Sequence, residues 1–408
     1  MKRILFLAAL LGATTLSGAS FGYDVFHTIP GTEGPAPVQS AAPVYDDYYE
    51  VGAFAEADEV DRFISGSVVG GWCDGFLQDG SRWNMYQAWL SSEKTVDPNM
   101  GFDLGYRVDA LFGTNILQSS DGFDGKWGVS DDGYGASIYQ AYGQLGLGKL
   151  SLKAGKLGTT IGFESVDASQ NNFNTHSYMF NHEPTTHTGG LFTFQATDTF
   201  NIDVGLVSGV DNSFANRRGD SGFLFGAGWQ IAENVNLSYA GVLSQIHSEL
   251  GENRAATAWG YYGDLFGPSI GDSDEYLQTV TATVDFTDRF SYSLASNYGA
   301  MSARDVHDNL YSQFGVANYF SYALTPCLTL AARYEYYTQW LDDAAIGPDG
   351  EMKQVCHDVS FAMVYRPFEH FFILPEARYD WIETGNIKDK ISNKEDGFTG
   401  SVSCGFTF

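Results

Sequence analysis

The stretch Phe102-Asp103-Leu104-Gly105-Tyr106-Arg107-Val108-Asp109-Ala110-Leu111-Phe112 decides the fold class. Phe102, Leu104, Tyr106, Val108, Ala110 and Phe112 alternate with Asp103, Gly105, Arg107, Asp109 and Leu111. Side chains of a strand point alternately to opposite faces, so this segment has one apolar and one polar face. Two folds use such strands: a soluble sandwich around a core, and a membrane barrel with lipid outside and water inside. Length separates them. Sandwich strands run ~5–6 residues, whereas tilted membrane strands run ~9–11, and this segment is of the second kind. Arg107 and Asp109 also sit in mid-strand, where a wet lumen accommodates charge.

The pattern recurs outward from there. Phe371, Ile373, Pro375, Ala377, Tyr379 and Trp381 alternate with Phe372, Leu374, Glu376, Arg378 and Asp380. The chain ends with Phe398, Gly400, Val402, Cys404, Phe406 and Phe408 on one face. Sixteen such segments are predicted, near 64–72, 83–93, 102–113, 137–147, 150–157, 187–197, 201–209, 220–231, 235–245, 276–286, 289–299, 310–322, 327–337, 353–366, 371–382 and 397–408. Short connections such as Gly148-Lys149 and Thr287-Asp288 alternate with long ones at 114–136, 158–186, 246–275, 338–352 and 383–396. That is the signature of an up-and-down barrel with tight periplasmic turns on one rim and long external loops on the other. Tyr322, Tyr336, Tyr337, Trp340 and Trp381 fall near segment ends, where aromatic girdles meet the membrane–water interface. The expected fold is all-β: a transmembrane antiparallel barrel of about sixteen strands.

Composition agrees with this geometry. The 408 residues include 50 acidic and only 22 basic ones, for a net charge of −28, with charged residues at 18%. So few basic residues exclude a nucleic-acid partner, because phosphate binding needs Lys and Arg. Half of every strand faces lipid and is uncharged, which leaves the acids to loops, lumen and linker. Length alone would suggest several domains, but one closed sheet uses it up. Residues 1–19 read as a signal peptide: Lys2 and Arg3, an apolar run from Ile4 to Leu16, then Ser17-Gly18-Ala19. Residues 20–62 read as an acidic, Pro-containing periplasmic linker without stable structure, and 63–408 as the barrel.

No catalytic pattern is present. H-E-x-x-H and the phosphate-loop motif are missing from the sequence. His176, His182 and His187 gather near Ser177, Glu164 and Glu183 without a spacing that defines a site. Cys73, Cys327, Cys356 and Cys404 have no C-x-x-C spacing. The expectation is no enzyme, no cofactor and no metal. Asp103, Arg107, Asp109, Arg333 and Glu335, with Asp358, Arg366, Glu376, Arg378 and Asp380, fall on polar faces and are expected to line the pore. Carboxylates there and in the loops favour cations. The preference should be weak and fade as the Debye length falls to ~3 Å near 1 M salt. The 158–186 loop is long and amide-rich, with Phe163, Phe173 and Phe180 as apolar anchors. Loops of that length are usually functional or disordered. Folded against the inner wall it would narrow the pore, with Glu164, Asp167, Asn171, Asn172, Phe173 and Glu183 at the constriction. Capping the outer rim is the other reading open at this point.

The run Leu152-Lys153-Ala154-Gly155-Lys156-Leu157, then Ile161-Gly162-Phe163-Glu164, Asn171-Asn172-Phe173, Ser177, Phe180 and Glu183-Pro184-Thr185-Thr186-His187-Thr188-Gly189, resembles the OmpL-like β-barrel porin family. Leu374-Pro375-Glu376-Ala377-Arg378-Tyr379-Asp380 is similar to that family's carboxy-terminal RPExRYD, with Leu374 where the family has Arg. The terminal Phe408 resembles the end of strands that the barrel-assembly machinery recognises. The resemblance implies an outer-membrane porin in a Gram-negative-type envelope, surrounded by lipid and passing small hydrophilic solutes or ions by passive diffusion. General porins of this size form trimers, so it also implies a homotrimer. The alternative is a non-conducting adhesin or envelope-anchoring barrel with 20–62 as its tether.

Overall fold

The computed structural model describes residues 64–75, 78–97, 101–114, 134–211, 219–247, 272–303, 309–341, 351–386 and 391–408. The expected signal peptide and linker lie outside these residues. The strands are β1 (Ser65–Gly75), β2 (Gln78–Lys94), β3 (Asp103–Gly113), β4 (Gly135–Leu147), β5 (Leu150–Gly158), β6 (Thr186–Thr197), β7 (Phe200–Val207) and β8 (Ser221–Ala232). They continue as β9 (Val235–Ile246), β10 (Ser273–Thr287), β11 (Phe290–Ala303), β12 (Asn309–Thr325), β13 (Leu328–Leu341), β14 (Met352–Phe368), β15 (Phe371–Asn386) and β16 (Ile391–Thr407). Each pairs antiparallel with its neighbours in sequence, and β1 closes on β16 with Ser67 opposite Thr407 and Gly75 opposite Thr399. Closure matters in lipid, where no water is available to satisfy an open strand edge. Phe408 and Gly66 exchange two backbone hydrogen bonds of 3.0 Å, so the last residue is tied into the seam.

Alternation of side chains gives the barrel its two solvents. Leu104, Tyr106, Val108 and Phe112 are exposed on the outside, while Asp109 and Leu111 are buried inside. Tyr379, Phe398 and Phe406 are likewise exposed, and Arg378, Asp380, Thr399, Ser401 and Ser403 are buried. An apolar outer surface this continuous is the kind that lipid covers. Among the described residues no helix is long and apolar enough to cross a membrane. The crossing is made by strands.

Two details depart from the sequence reading. Residues 383–396, expected as a long loop, are mostly strand: β15 runs to Asn386 and β16 starts at Ile391, with Glu383 opposite Lys394. Strands that continue past the lipid are wet on both faces, so the apolar alternation stops before the hydrogen-bonded ladder does. Tyr337 is not in a girdle either. It faces inward and is fully buried, one position out of phase with outward Tyr336.

Candidate functional site

β5 stops at Gly158 and β6 starts at Thr186, and the segment between them folds into the barrel. Its backbone is held first by its own side chains. Asn171 clips the loop by accepting from the Ser165 amide at 3.0 Å and donating to the Ser165 carbonyl at 2.6 Å. Asp167 caps a short 3₁₀ turn at Ala168–Gln170 by accepting from the Ser169 amide at 2.9 Å. Short polar side chains that bond nearby backbone favour such turns over regular structure.

The wall completes what the loop lacks. Glu335, Asp358 and Asp380 stand directly opposite one another on β13, β14 and β15, and Arg333, Ser360 and Arg378 form the adjoining inward row. Within these rows Arg333 donates to Asp358 at 3.1 Å and Arg378 to Asp380 at 2.7 Å. The loop backbone then lies across them. Glu376 accepts from the amides of Asn174 at 2.7 Å and Thr175 at 3.0 Å. Glu335 accepts from the amides of Tyr178 at 2.6 Å and Met179 at 2.8 Å. Arg333 donates to the Thr175 carbonyl at 2.8 Å, and Arg378 to the His176 carbonyl at 2.7 Å. Charge-assisted bonds of this kind are roughly twice as strong as neutral ones. Glu164 joins the same cluster through Arg333 at 3.0 Å and Tyr319 at 2.9 Å. Burial acts to raise its pKa, but the charge of Arg333 and the hydrogen bond from His176 hold it down at about 2.

An apolar socket adds to the ionic one. Ala295, Ala317, Ala331 and Ala362 face inward on β11 to β14, and with Phe372 and Leu374 they receive Phe173 and Met179. Met179 lies on the α-carbon of Gly315, where an added Cβ would meet the Met179 Cγ at 2.3 Å. The Arg333 guanidinium covers the Phe173 ring at 4.9 Å. Burying each of these side chains contributes roughly 1.5–3 kcal/mol. Leu374, which stands where the family pattern has Arg, is buried in this socket, and its carbonyl accepts from Asn174 at 2.9 Å.

The residues expected to line the pore therefore fall into groups. Arg333, Glu335, Asp358, Glu376, Arg378 and Asp380 face inward but are covered by the loop. Arg366 also points inward, over the Phe372 ring at 5.0 Å. Arg107 and Asp109 lie on the other side of the lumen, paired at 2.9 Å, with Gln140 donating to Asp109 at 2.6 Å. Asp103 sits near the short-turn rim, paired with Lys94 at 2.9 Å. In the loop, Glu164, Asp167, Phe173 and Glu183 contact the wall, Asn171 forms the clip, and Asn172 is half-buried. Sequence reasoning missed Asn174, Thr175, Tyr178 and Met179, which make the docking contacts, and Gly315 beneath them.

Opposite the docked face is a chamber of about 410 Å³ between the loop and β1 to β4. Its wall side includes Trp89, Glu93, Arg107 and Tyr139, and its loop side Phe163, Glu164, Asp167, Phe180 and Glu183. Trp89 and Tyr139 pack at 5.1 Å between ring centroids. Glu183 accepts from Asn297 at 2.8 Å, and burial pushes its pKa up to about 7, opposed by that bond and assisted by Glu164. Its other oxygen lies 2.4 Å from where a Cβ of residue 162 would be, and Gly162 has φ +97, so only glycine fits there. Burial also raises the pKa of Asp167, against hydrogen bonds from Ser169 and Ser67. No group of His, Cys, Asp and Glu among the described residues is placed to hold a metal.

A closed sixteen-stranded barrel, apolar outside and carrying a loop within its lumen, defines a porin-type barrel of the outer membrane. The chain belongs to the family described as "Putative beta-barrel porin-2, OmpL-like", whose model matches residues 73–408. Among solved structures it is similar to OmpT of Vibrio cholerae in its trimer form, with a TM-score of 0.56 at 11% identity over 85% of this chain and 98% of that one. The outer membrane channel DcaP of Acinetobacter baumannii is similar at a TM-score of 0.54 and 14% identity, over 85% of this chain and 96% of that one. At such identities the likeness is one of fold. No curated protein matches the chain in sequence.

Proposed function

We propose that the chain is a diffusion channel through which small hydrophilic solutes and ions cross the outer membrane passively, with the 158–186 loop as its constriction. The observation that carries this reading is the docking of 174–179 onto β13 and β15, which keeps the loop inside the lumen. A barrel of this strand number is wide enough for an aqueous channel unless something narrows it. Carboxylates outnumber basic groups around the remaining chamber, which supports a weak cation preference. Residues 1–19 are removed on export, 20–62 link the barrel to the periplasm, and the strand ending at Phe408 engages the barrel-assembly machinery. The trimer form of OmpT supports a homotrimer.

Purified full-length chain in planar bilayers should give discrete conductance steps, and removing 165–178 should enlarge them. An unchanged step would overturn the constriction. Absence of any step would overturn the channel and leave the adhesin or anchor reading. Reversal potentials across a KCl gradient should be cation-selective at low salt, and an anion-selective potential would refute that preference.

A further inference from the structure

We propose that the chamber beneath the loop binds small organic cations: an ammonium or guanidinium group on a flat apolar body. The inference rests on the channel reading, because a solute reaches this chamber through the lumen.

Size comes first. About 410 Å³ lies within the ~300–1,000 Å³ typical of small-molecule sites. Bare inorganic ions need no such volume. The walls come second. Trp89 and Tyr139 form a tilted pair 5.1 Å apart on the strand side, and Phe163 and Phe180 stand on the loop side. Aromatic faces are electron-rich, so they attract a cation and also pack against an apolar body.

Charge decides the sign. Arg107, the one basic residue lining the chamber among the described residues, is held by Asp109 at 2.9 Å and Glu93 at 3.3 Å. Glu164 is matched by Arg333 at 3.0 Å. Among the described residues, Asp167 and Glu183 have no such counter-charge within salt-bridge distance. Asp167 accepts from Ser67 and Ser169 on Oδ1 with the Gln170 side chain also bonded to its carboxyl, and Glu183 accepts from Asn297 on Oε1, which leaves Glu183 Oε2 for a ligand. Burial raises the pKa of both, which is how carboxylates behave when water has been withdrawn and no cation has replaced it. An anion would meet uncompensated acids. A neutral solute would leave them desolvated and unpaired. A cation with an apolar body satisfies rings and carboxylates together.

The probe is 2-phenylethylammonium, compared with 3-phenylpropionate and 2-phenylethanol. Binding is measured by titration calorimetry on full-length chain in detergent, and block by single-channel recording. The ammonium alone should bind saturably and interrupt the current. Asp167→Asn and Glu183→Gln should each weaken binding by about tenfold, as loss of one charge-assisted contact does. Heat-modifiable gel migration verifies that each variant is folded, and the three-probe comparison on the unsubstituted chain decides independently of the variants. Equal binding of all three probes, tighter binding of the carboxylate, or unchanged binding in both folded variants would overturn the proposal. Ammonium binding without conductance would refute the channel and leave the chamber standing. Conductance without binding or block would do the reverse.

Discussion

The inner wall over β11 to β16 and the inner wall over β1 to β4 share one strand geometry and hold different things. On the first, Arg333 and Arg378 are almost wholly buried, and their partners include the backbone carbonyls of Thr175 and His176. On the second, Arg107 keeps a fifth of its side chain exposed, and its partners Glu93 and Asp109 lie on the wall itself. An inward charge is therefore not by that fact a pore charge. What separates the two halves is that Arg333 and Arg378 bond loop backbone in addition to their wall neighbours. Beside Arg333 the alanine socket admits Phe173 and Met179, whereas on β2 the loop backbone meets the neutral Gln87, which donates to the Val166 carbonyl at 3.0 Å and accepts from the Ala168 amide at 2.8 Å.

The sharpest way to break this asymmetry is Arg333→Ala. The substitution removes the guanidinium from Asp358 and Glu164 and frees the Thr175 carbonyl. Removing one partner of a buried ion pair costs about 3–5 kcal/mol, enough to shift the docked population by a factor on the order of 10²–10³. Single-channel conductance should rise towards that of the 165–178 deletion. A step of unchanged size would show that the apolar socket holds the loop unaided.

Gly315→Val should act in the same direction and less strongly. The new side chain occupies the place of Met179, and overpacking of this kind costs about 1–3 kcal/mol. Gly143→Ala is a control on the outward face of β4, where an added Cβ meets nothing within 4 Å. Conductance should increase in the first variant and stay level in the second.

On the chamber side the discriminating variable is pH. The Glu183 carboxyl has its ordinary pKa of 4.5 raised to about 7 in the docked loop, with burial as the largest cause. The docked state therefore binds this proton more tightly than the undocked one. That contribution to docking is complete below pH 4.5 and is lost as pH rises through about 7. Ionisation in the same window adds a negative charge beside Glu164. Cation selectivity should rise between pH 5.5 and 8, by a few-fold at most given partial screening. Glu183→Gln should flatten the curve, and a variant curve that still rises would move the titration to another group.

The fold was legible because lipid imposes a period of two over every strand, and Phe102–Phe112 carries it without interruption. Strand extensions such as Glu383–Asn386 were not legible, since water on both faces removes the period while the ladder persists. The loop's inward course was suggested by its length and by Phe173, whose burial in the socket fits that reading. Its docking partners were hidden because Asn174 and Glu376 are 202 residues apart, and no local pattern links them. One signal was available. Ala295, Ala317, Ala331 and Ala362 are apolar residues on faces that a uniformly wet lumen would make polar. Leu374 departs from Arg in the sequence, but only Phe173 beside it in the socket explains the departure.

The smallest expected effect tests whether strand identity or burial separates the two halves. Glu383 lies on β15, the strand that carries Glu376, Arg378 and Asp380, and pairs with Lys394 at 3.3 Å. Both side chains of that pair are more than half exposed, at 74% for Lys394 and 51% for Glu383. An exposed pair contributes about 0–1 kcal/mol and is screened by salt. Glu383→Gln should therefore leave conductance and heat-modifiable migration unchanged, although it alters the same strand as the docking acids. If it instead loosened the loop as Arg333→Ala does, the whole of β15 would act as the holding element. The distinction would then lie in the strand and not in which of its charges the loop covers.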